Sequence, residues 1–229
     1  MTLKDRLLEA QNKIARALSQ SERKQEVEIV AATKTQEPKL VEETIACGVK
    51  SIGENRIQEA EKKFQKTTLN INTKKRFIGH LQSNKVNKCV DLFDTIDSIH
   101  SVKIAKRIST RLIEVNKKIE CLVEVNTSGD QTKHGFLPNE IKEILDCVSI
   151  ENLNIRGLMT LGPKSQDPQK TRESFSLLRN TMIKINSTIN NKKLKELSMG
   201  MSGDYTIGVE EGSTMVRLGT LLYGPRNTQ

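Results

Sequence analysis

The chain has no tryptophan, two tyrosines and five phenylalanines, so aromatic side chains make up only 3% of its 229 residues. Proteins that bind single-stranded nucleic acid without sequence preference stack the bases on aromatic rings. Such a platform is poorly supplied here, although the net charge of +9 favours some anionic partner. The lysines are scattered rather than gathered in a stripe. We therefore predict a solvated basic surface and no nucleic-acid partner.

Long hydrophobic runs are also missing. No apolar segment approaches the roughly 18 residues that a membrane-spanning helix needs, so we expect no membrane association. The first eighteen residues form an amphipathic pattern without the apolar centre of a secretory signal. Asp5 and Glu9 lie in this pattern and argue against an organelle presequence.

The cysteine pattern offers no pair for a metal or redox site. The four cysteines, at positions 47, 89, 121 and 147, form no Cys-x-x-Cys motif and lie in or beside apolar segments. We interpret them as buried free thiols, as expected in a cytoplasmic protein. The histidines show no metal-ligand spacing to a cysteine or acid. No Gly-x-Gly-x-x-Gly or Walker sequence occurs either.

What the chain does contain is a regular alternation of short apolar segments and amphipathic helical patterns. The predicted strands are 27–32, 51–53, 76–79, 92–96, 119–125, 153–159, 194–197 and 214–218. Proline at the first position marks the start of helices at Pro38, Pro138 and Pro168. The segments 54–66 and 98–117 are helical by their apolar period.

About eight alternations of strand and helix predict a parallel sheet with helices outside it. A single closed (β/α)8 barrel of the TIM type fits the count, and an open doubly wound sheet is the alternative. No Gly-, Ser- or Pro-rich linker divides the chain, so we assign 1–229 to one domain. Residues 1–24 are interpreted as an added N-terminal helix packed on the barrel. No long helical pattern follows the last strand, and the N-terminal helix is expected to cover that gap.

Lys34 follows the first predicted strand, in the segment VEIVAATK. Barrel active sites lie at the carboxyl ends of the strands. A lysine that is partly buried there can acquire the lowered pKa that imine formation requires. Taken alone, Lys34 could equally be a surface lysine beyond the end of a strand.

The last two strands are followed by segments suited to a phosphate group. Residues 198–204 read SMGMSGD, and Gly219-Thr220 gives a second edge of small residues. Small residues let backbone N–H groups approach phosphate oxygens, and barrels often bind phosphate at these two loops. Arg217 lies inside an apolar strand and needs a partner, either a carboxylate or the ligand. An imine-forming lysine with a phosphate cradle is what pyridoxal phosphate requires. His80 and His134 are more simply structural residues than catalysts.

Several motifs give the chain a specific resemblance. They include VAATKTQEP at 30–38, FIGHLQSNK at 77–85, SMGMSGDY at 198–205 and STMVRLG at 213–219. With these motifs the chain resembles the pyridoxal phosphate homeostasis proteins, the YggS/PROSC family. The resemblance runs almost from end to end and leaves only the N-terminal helix and the helix around 180–193 generic. It implies a barrel like the N-terminal domain of alanine racemase, the pyridoxal-phosphate fold of type III.

The resemblance also implies the cofactor and its ligands. Pyridoxal 5'-phosphate is expected as an internal aldimine on Lys34, with Asn55 along its ring and Arg217 facing the pyridine nitrogen. The full predicted set of cofactor-binding residues is Lys34, Asn55, Ser198, Met199, Ser202, Arg217, Gly219 and Thr220. The serines and Gly219-Thr220 are expected around the phosphate. Lys133 matches a family lysine that has been proposed as a second place for the cofactor.

The chain departs from the family pattern at three positions. Arg76 stands where tryptophan or histidine is frequent, and Gly208 replaces a usual alanine. Gln36 replaces a lysine that is common two residues after the imine lysine, which puts in doubt any transfer scheme that needs a lysine there. None of the three changes affects the imine lysine itself.

The resemblance implies a non-catalytic protein that stores pyridoxal phosphate and delivers it, with cofactor-dependent apoenzymes as partners. An amino-acid racemase is the alternative. An arginine at the ring nitrogen keeps that nitrogen unprotonated and weakens the electron sink. Racemisation also needs acid–base groups on both faces of the substrate carbon, and neither Tyr205 nor Tyr223 is clearly placed for the second face. Without the domain that joins racemase subunits, a monomer is expected.

Overall fold

Eight short parallel strands close into a barrel in which each strand pairs with the next in chain order and the last pairs with the first. The computed structural model describes residues 1–165, 167–190 and 193–225. The strands are β1 (Glu28–Ala32), β2 (Ser51–Glu54), β3 (Lys74–Phe77), β4 (Thr95–Ile99), β5 (Glu120–Glu124), β6 (Asn154–Met159), β7 (Glu196–Met201) and β8 (Met215–Leu218). The predicted (β/α)8 barrel is thereby confirmed, and the open sheet is not formed.

Helices connect the strands on the outside of the barrel. They are α1 (Leu3–Gln20), α2 (Pro38–Ala46), α3 (Ile57–Phe64), α4 (Val86–Leu92), α5 (Val102–Glu114), α6 (Ile141–Val148), α7 (Pro168–Thr188), α8 (Tyr205–Glu210) and α9 (Thr220–Tyr223). A 3-10 turn, Ser83–Lys85, precedes α4. Within the described ranges, no helix is both long enough and apolar enough to cross a bilayer.

Some predicted boundaries were wrong, and each has a physical reason. The strand predicted at 92–96 lies at 95–99, because Leu92 is the last residue of α4. The apolar side chains of Val86, Cys89 and Val90 recur at helical spacing and are buried together. The helices predicted from residues 54 and 98 start later, because the first residues of those segments complete β2 and β4. Likewise, α6 begins at Ile141 rather than at Pro138.

The N-terminal helix α1 packs beside the last two helices of the chain. Thr2 and Asp5 form a capping box at its start, in which each side chain accepts a hydrogen bond from the other residue's backbone N–H. One apolar face of α1 is buried in a cluster that includes Tyr205 and Leu222. Arg6 Nη1 also donates to the carbonyl of Leu222, at 3.0 Å. The helix therefore covers the side of the barrel where α9 has only four residues.

Two apolar clusters surround the sheet, and the cysteines belong to them. The larger cluster lies between the strands and α3 to α7 and includes Cys89, Cys121 and Cys147. All four cysteines of the chain are free thiols. Burial raises the pKa of the Cys147 thiol to about 12, and the neighbouring Asp146 adds to the effect. Cys89, Cys121 and Cys147 are therefore protonated packing groups, since burial raises the pKa of each, and Cys47 is half-buried.

The inside of the barrel holds a buried ion pair. Arg76 on β3 donates from Nε to Asp97 Oδ2 at 2.8 Å and from Nη2 to Asp97 Oδ1 at 3.3 Å. Both side chains are almost fully buried, at 1% and 0% exposure. Burial opposes the charge of Arg76, but the Asp97 carboxylate outweighs it and raises the pKa of the guanidinium. The arginine that departs from the family pattern therefore has a carboxylate of its own inside the barrel.

We predict that Asp97→Ala destabilises the fold by about 3–5 kcal/mol, because the buried guanidinium loses its hydrogen-bonded carboxylate and keeps only Glu28 and Glu196, at 3.8 and 4.0 Å. Urea unfolding followed by circular dichroism would measure the change. The matched control is Lys13→Ala, which breaks an exposed ion pair with Glu9 on α1 and should have little effect. A similar free energy of unfolding for the Asp97 variant and the wild type would contradict the importance of this pair.

Candidate ligand-binding site

The carboxyl ends of the strands open into a cavity of about 500 Å³. Six of the predicted cofactor residues lie in its wall, namely Lys34, Asn55, Ser202, Arg217, Gly219 and Thr220. They come from the ends of β1, β2, β7 and β8, which meet at one rim because the strands are parallel. Ser198 and Met199 lie outside the wall and are fully buried. The barrel thus brings most of the predicted set together.

A buried polar network fixes the residue that precedes Lys34. The Thr33 hydroxyl donates to Glu54 Oε1 at 2.6 Å. Lys63 Nζ, from α3, donates to the same carboxylate oxygen and to the Thr33 carbonyl, both at 2.6 Å. All three side chains are at least nine-tenths buried. Because the network holds both the backbone and the side chain of Thr33, it sets where the chain leaves β1 and where Lys34 begins.

The chain turns sharply just after Lys34. Thr35 has φ at +67°, in the left-handed region that a β-branched residue rarely adopts. The turn is closed by a hydrogen bond from Gln36 N to the Thr33 carbonyl, at 2.9 Å. Backbone strain of this kind persists only where the surroundings enforce it, and it is frequent at functional sites. Lys34 itself is half-buried at the cavity wall.

Arg217 is buried without a carboxylate within 4.0 Å among the residues that the structure describes. Its Nη1 donates to the Ser198 carbonyl at 2.9 Å and to the Ser198 hydroxyl at 2.6 Å, and its Nη2 donates to the Thr160 carbonyl at 2.7 Å. Burial lowers the pKa of Arg217, and the more distant carboxylates of Asp97 and Asp204 oppose the shift. The guanidinium is therefore held in place by neutral oxygens, and its charge is left to act on the cavity.

The two predicted residues outside the wall have other surroundings. Ser198 lies beneath Arg217 and orients it through the two hydrogen bonds just described. Met199 points the other way along β7 and packs in the apolar cluster between the strands and the helices. Direct contact of either side chain with a ligand stays a prediction.

Backbone donors converge at the far edge of the cavity. The N–H groups of Gly219 and Leu221 both donate to the Ser202 hydroxyl oxygen, each at 3.1 Å. Two backbone donors aimed at one oxygen are the arrangement that binds anions such as phosphate. Ser202 and Gly219 belong to the loops that the sequence predicted as the phosphate cradle.

Asn55 and Gly79 touch through the backbone on the opposite side of the cavity. A Cβ atom at position 79 would lie 2.3 Å from the Asn55 carbonyl oxygen. No side chain fits in this space, so glycine is required for the loop after β3 to pass beside the loop after β2. Both residues line the cavity.

The chain's three histidines stack at the cavity mouth. The rings of His80 and His134 lie 3.6 Å apart at an interplanar angle of 18°, and His100 lies 4.4 Å from His80. Burial, with the two neighbouring imidazoles, lowers the pKa of His80 to about 4. No sequence pattern indicates the stack, because the three residues follow three different strands. No group of three or more potential metal ligands occurs in the described ranges.

Lys133 lies in the cavity wall and is tied to the loop after β6. Its Nζ donates to the Gly162 carbonyl at 2.5 Å and to the Leu161 carbonyl at 3.4 Å. Burial lowers the pKa of the Lys133 ammonium, and Asp130 opposes the shift. The structure therefore gives this lysine a role in bridging two loops, and its binding of cofactor stays a prediction.

Sequence reasoning missed one charged residue of the wall, Glu124 at the end of β5. Burial raises the pKa of its carboxyl to about 7, and the nearby Arg217 opposes the shift. Residues four apart in a strand lie on the same face, so Glu120 and Glu124 share one face of β5. This alternation could have indicated that Glu124 points into the barrel.

We predict that Gly79→Ala destabilises the protein by about 1–3 kcal/mol, because the added methyl group overlaps the Asn55 carbonyl. Thermal unfolding would measure the effect. Gly203→Ala is the matched control, since a Cβ there meets nothing within 4 Å and its backbone is not left-handed. Equal stability of the two variants would show that the close approach at Gly79 is not a constraint.

Comparisons with known proteins give one consistent family. Residues 8–227 match the family model described as alanine racemase, N-terminal domain. A protein from Aquifex aeolicus named pyridoxal phosphate homeostasis protein is 37% identical, over 86% of this chain and 86% of its own length. One of the same name from Synechocystis is 38% identical, over 87% of this chain and 92% of its own length.

A solved structure agrees with these relatives. PipY from Synechococcus elongatus, with PLP bound, has a TM-score of 0.81 and 30% sequence identity to this chain. The match covers 92% of this chain and 100% of the PipY chain.

Proposed function

Since this chain belongs to the family of pyridoxal phosphate homeostasis proteins, we propose that it binds pyridoxal 5'-phosphate in the cavity and serves as a store and donor of that cofactor. The observation that carries the proposal is the convergence of Lys34 with Ser202 and Arg217 on one cavity wall. These residues come from opposite ends of the sequence, and the closure of the barrel between β1 and β8 brings them to one wall.

The residues of the cavity fit the chemical groups of this cofactor. Two backbone N–H groups already converge on one oxygen at Ser202, so a phosphate would replace an acceptor that the loops are built to hold. Thr220 lies beside them in the cavity wall. Arg217 is buried and fixed by neutral oxygens, which leaves its charge for an electron-rich acceptor such as a ring nitrogen.

We assign the roles accordingly. Lys34 would hold the cofactor's aldehyde carbon through an imine bond, and Ser202, Gly219 and Thr220 would hold its phosphate. Asn55 would lie along the ring, and Ser198 would act through Arg217. Met199, which is buried among apolar side chains, receives no ligand contact in this proposal. The bound cofactor supplies an aldehyde that condenses reversibly with amines.

The state of the two tyrosines and of His80 supports a non-catalytic role. The Tyr223 hydroxyl faces Thr44 Oγ1 at 3.0 Å, and burial raises the pKa of this phenol to about 12. Tyr205 lies outside the cavity wall, and its buried hydroxyl has no hydrogen-bond partner within the described ranges. His80 is a weak base, since its pKa is lowered to about 4. None of these three groups has a pKa near neutrality, as an efficient general acid or base requires. Glu124, whose pKa burial raises to about 7, is the cavity group that comes into that range.

A racemase remains the second candidate, because Lys34 and Glu124, a carboxyl whose pKa burial raises to about 7, line the same cavity. Racemisation of alanine or serine well above the rate with free cofactor, and lost on Lys34→Ala, would favour this alternative. Rates equal to those of free cofactor would favour the carrier.

Delivery to cofactor-dependent apoenzymes by a cytoplasmic monomer completes the proposal. Gln36 lies in the cavity wall at the place of the common family lysine, so release here has to proceed without a second amine at that position. Transfer from the loaded protein to an apoenzyme should exceed the rate of release into solution if delivery is direct.

We predict that Lys34→Ala abolishes the visible absorption band of the bound cofactor, because the other lysine of the wall, Lys133, is engaged by the carbonyls of Leu161 and Gly162. Absorption spectra of the protein after incubation with pyridoxal phosphate and gel filtration would show the loss. Lys133→Ala is the matched control, because it removes the ammonium of another cavity lysine, and it should keep the band. A band that survives in the Lys34 variant and disappears in the Lys133 variant would reverse the assignment.

A further inference from the structure

Glu124 is a buried carboxyl group that faces the cavity without a donor. Its side chain is 5% exposed and forms part of the cavity wall. In the described part of the chain, no N–H or O–H group donates a hydrogen bond to its carboxylate oxygens, and no cation lies within 4.0 Å of them. A buried ionised carboxyl without a partner is costly. Its oxygens are not among the fully enclosed polar atoms of the described residues, so they face the cavity, where water, a proton or a ligand can serve them.

The backbone at Glu124 is held by the segment that returns to the end of β5. Phe136 N donates to the Glu124 carbonyl at 2.9 Å, and Asn126 N donates to the Phe136 carbonyl at 2.8 Å. Gly135 reaches this arrangement with φ at +113°, and a Cβ there would lie 3.0 Å from the Glu124 carbonyl oxygen. These hydrogen bonds hold the backbone of Glu124 at the end of β5, where its side chain lies in the cavity wall.

The charges around Glu124 decide its protonation. Burial favours the neutral acid, and Arg217 on β8 is the cation that opposes it. The carboxylates of Asp97 and Asp204 also interact with the Arg217 guanidinium, and their negative charge offsets part of its effect on Glu124. The remaining titratable groups in the cavity wall are Lys34, His80, Lys133, His134 and Tyr223. A phosphorylated ligand would add negative charge to this cavity and would share the field of Arg217, so it would favour the neutral carboxyl further.

We propose that Glu124 is the proton-holding group of the site, which is neutral when the phosphorylated ligand is bound and donates a hydrogen bond into the cavity. The inference rests on the proposed function, because the anion whose binding would protonate Glu124 is pyridoxal phosphate. Ligand binding then takes up a proton at Glu124 whenever the free protein has it ionised. A carboxyl kept neutral in an apolar site so that it can donate is a known arrangement.

The sign of the pH dependence follows from linkage. In the free protein the pKa of Glu124 is raised, so its contribution to stability is full below its ordinary pKa and is lost as pH rises through about 7. Bound anion raises the pKa further, so affinity falls as pH rises above 7, by at most about tenfold per pH unit from this group. Imine formation at Lys34 has the opposite sign, because an ammonium must lose its proton to react. Lys34 is present in both the wild type and Glu124→Gln, so the difference between their pH dependences is the contribution of Glu124.

The test is calorimetry of pyridoxal phosphate binding between pH 7 and 9, in pairs of buffers with different ionisation enthalpies. In this range the phosphate group, with a second pKa of about 6, is already ionised. We expect the wild type to take up as much as about one proton per ligand more than Glu124→Gln does. We also expect the affinity of the variant to be up to about tenfold higher than that of the wild type at pH 8.

Glu196→Gln is the matched control. Glu196 is a second carboxyl whose pKa burial raises, but it lies on β7 at the opposite end of the barrel, near Arg76 and Arg156. Its variant should keep the proton uptake of the wild type. If it loses that uptake as well, the proton does not belong to Glu124 and the inference fails.

The outcomes distinguish a failure of the Glu124 inference from a failure of the proposed function. Binding with equal proton uptake in the wild type and in Glu124→Gln overturns the inference and leaves the proposed function standing. No binding of pyridoxal phosphate by the wild type overturns the proposed function itself. If Glu124→Gln does not fold, infrared difference spectra of the wild type give the answer. A new band of a protonated carboxylic acid on binding at pH 8 supports the inference, and its absence contradicts it.

Discussion

The pairing of the first strand with the last is the constraint on which the site depends. β1 and β8 pair in parallel, with Val30 opposite Arg217 and Ala31 opposite Leu218. The chain therefore leaves both strands at the same rim, and Lys34 emerges beside Gly219. Residues from opposite ends of the sequence become neighbours only because the barrel closes. Any change that opens this seam would separate the amine from the anion-binding loops.

The barrel treats its buried charges in three different ways. Arg76 is neutralised by Asp97, and Lys63 by Glu54, so these pairs stabilise the walls. Arg217 is held by carbonyls and a hydroxyl, which fix its position without cancelling its charge. Glu124 has neither kind of partner within the described ranges. Arg76 and Lys63 have carboxylate partners, although one oxygen of Glu54 has no hydrogen-bond partner in the described part of the chain. Arg217 and Glu124 have no partner of opposite charge within 4.0 Å in that part of the chain, and both lie in the cavity wall, where a ligand can pair with them.

Much of this arrangement could be predicted from the sequence, because parallel strands bring the residues after their carboxyl ends together. Lys34 was placed on that ground, Arg217 was singled out as a cation inside an apolar strand, and the role of Asn55 came from the family resemblance. The Thr33–Glu54–Lys63 network could not be predicted, since it depends on where α3 packs against β1 and β2. The histidine stack depends likewise on the paths of three loops.

Helix α4 was missed because its seven residues give too few periods to separate a helix from a strand. The inward and outward alternation of β7 was also hidden, since its register against β8 shifts between Ser198 and Met201. Local sequence patterns therefore predict most of the helices and strands. The partner of each buried charge depends on long-range packing and is seen only in the structure.

The central claim is that the amine of Lys34 is bonded to the aldehyde of pyridoxal phosphate, whose phosphate is held by the loops after β7 and β8. Borohydride reduction of the protein with pyridoxal phosphate, followed by peptide mass mapping, tests this claim most directly. The account predicts a single pyridoxyl mark on the peptide that contains Lys34. A mark on Lys133 or on another lysine, or no mark at all, would contradict it.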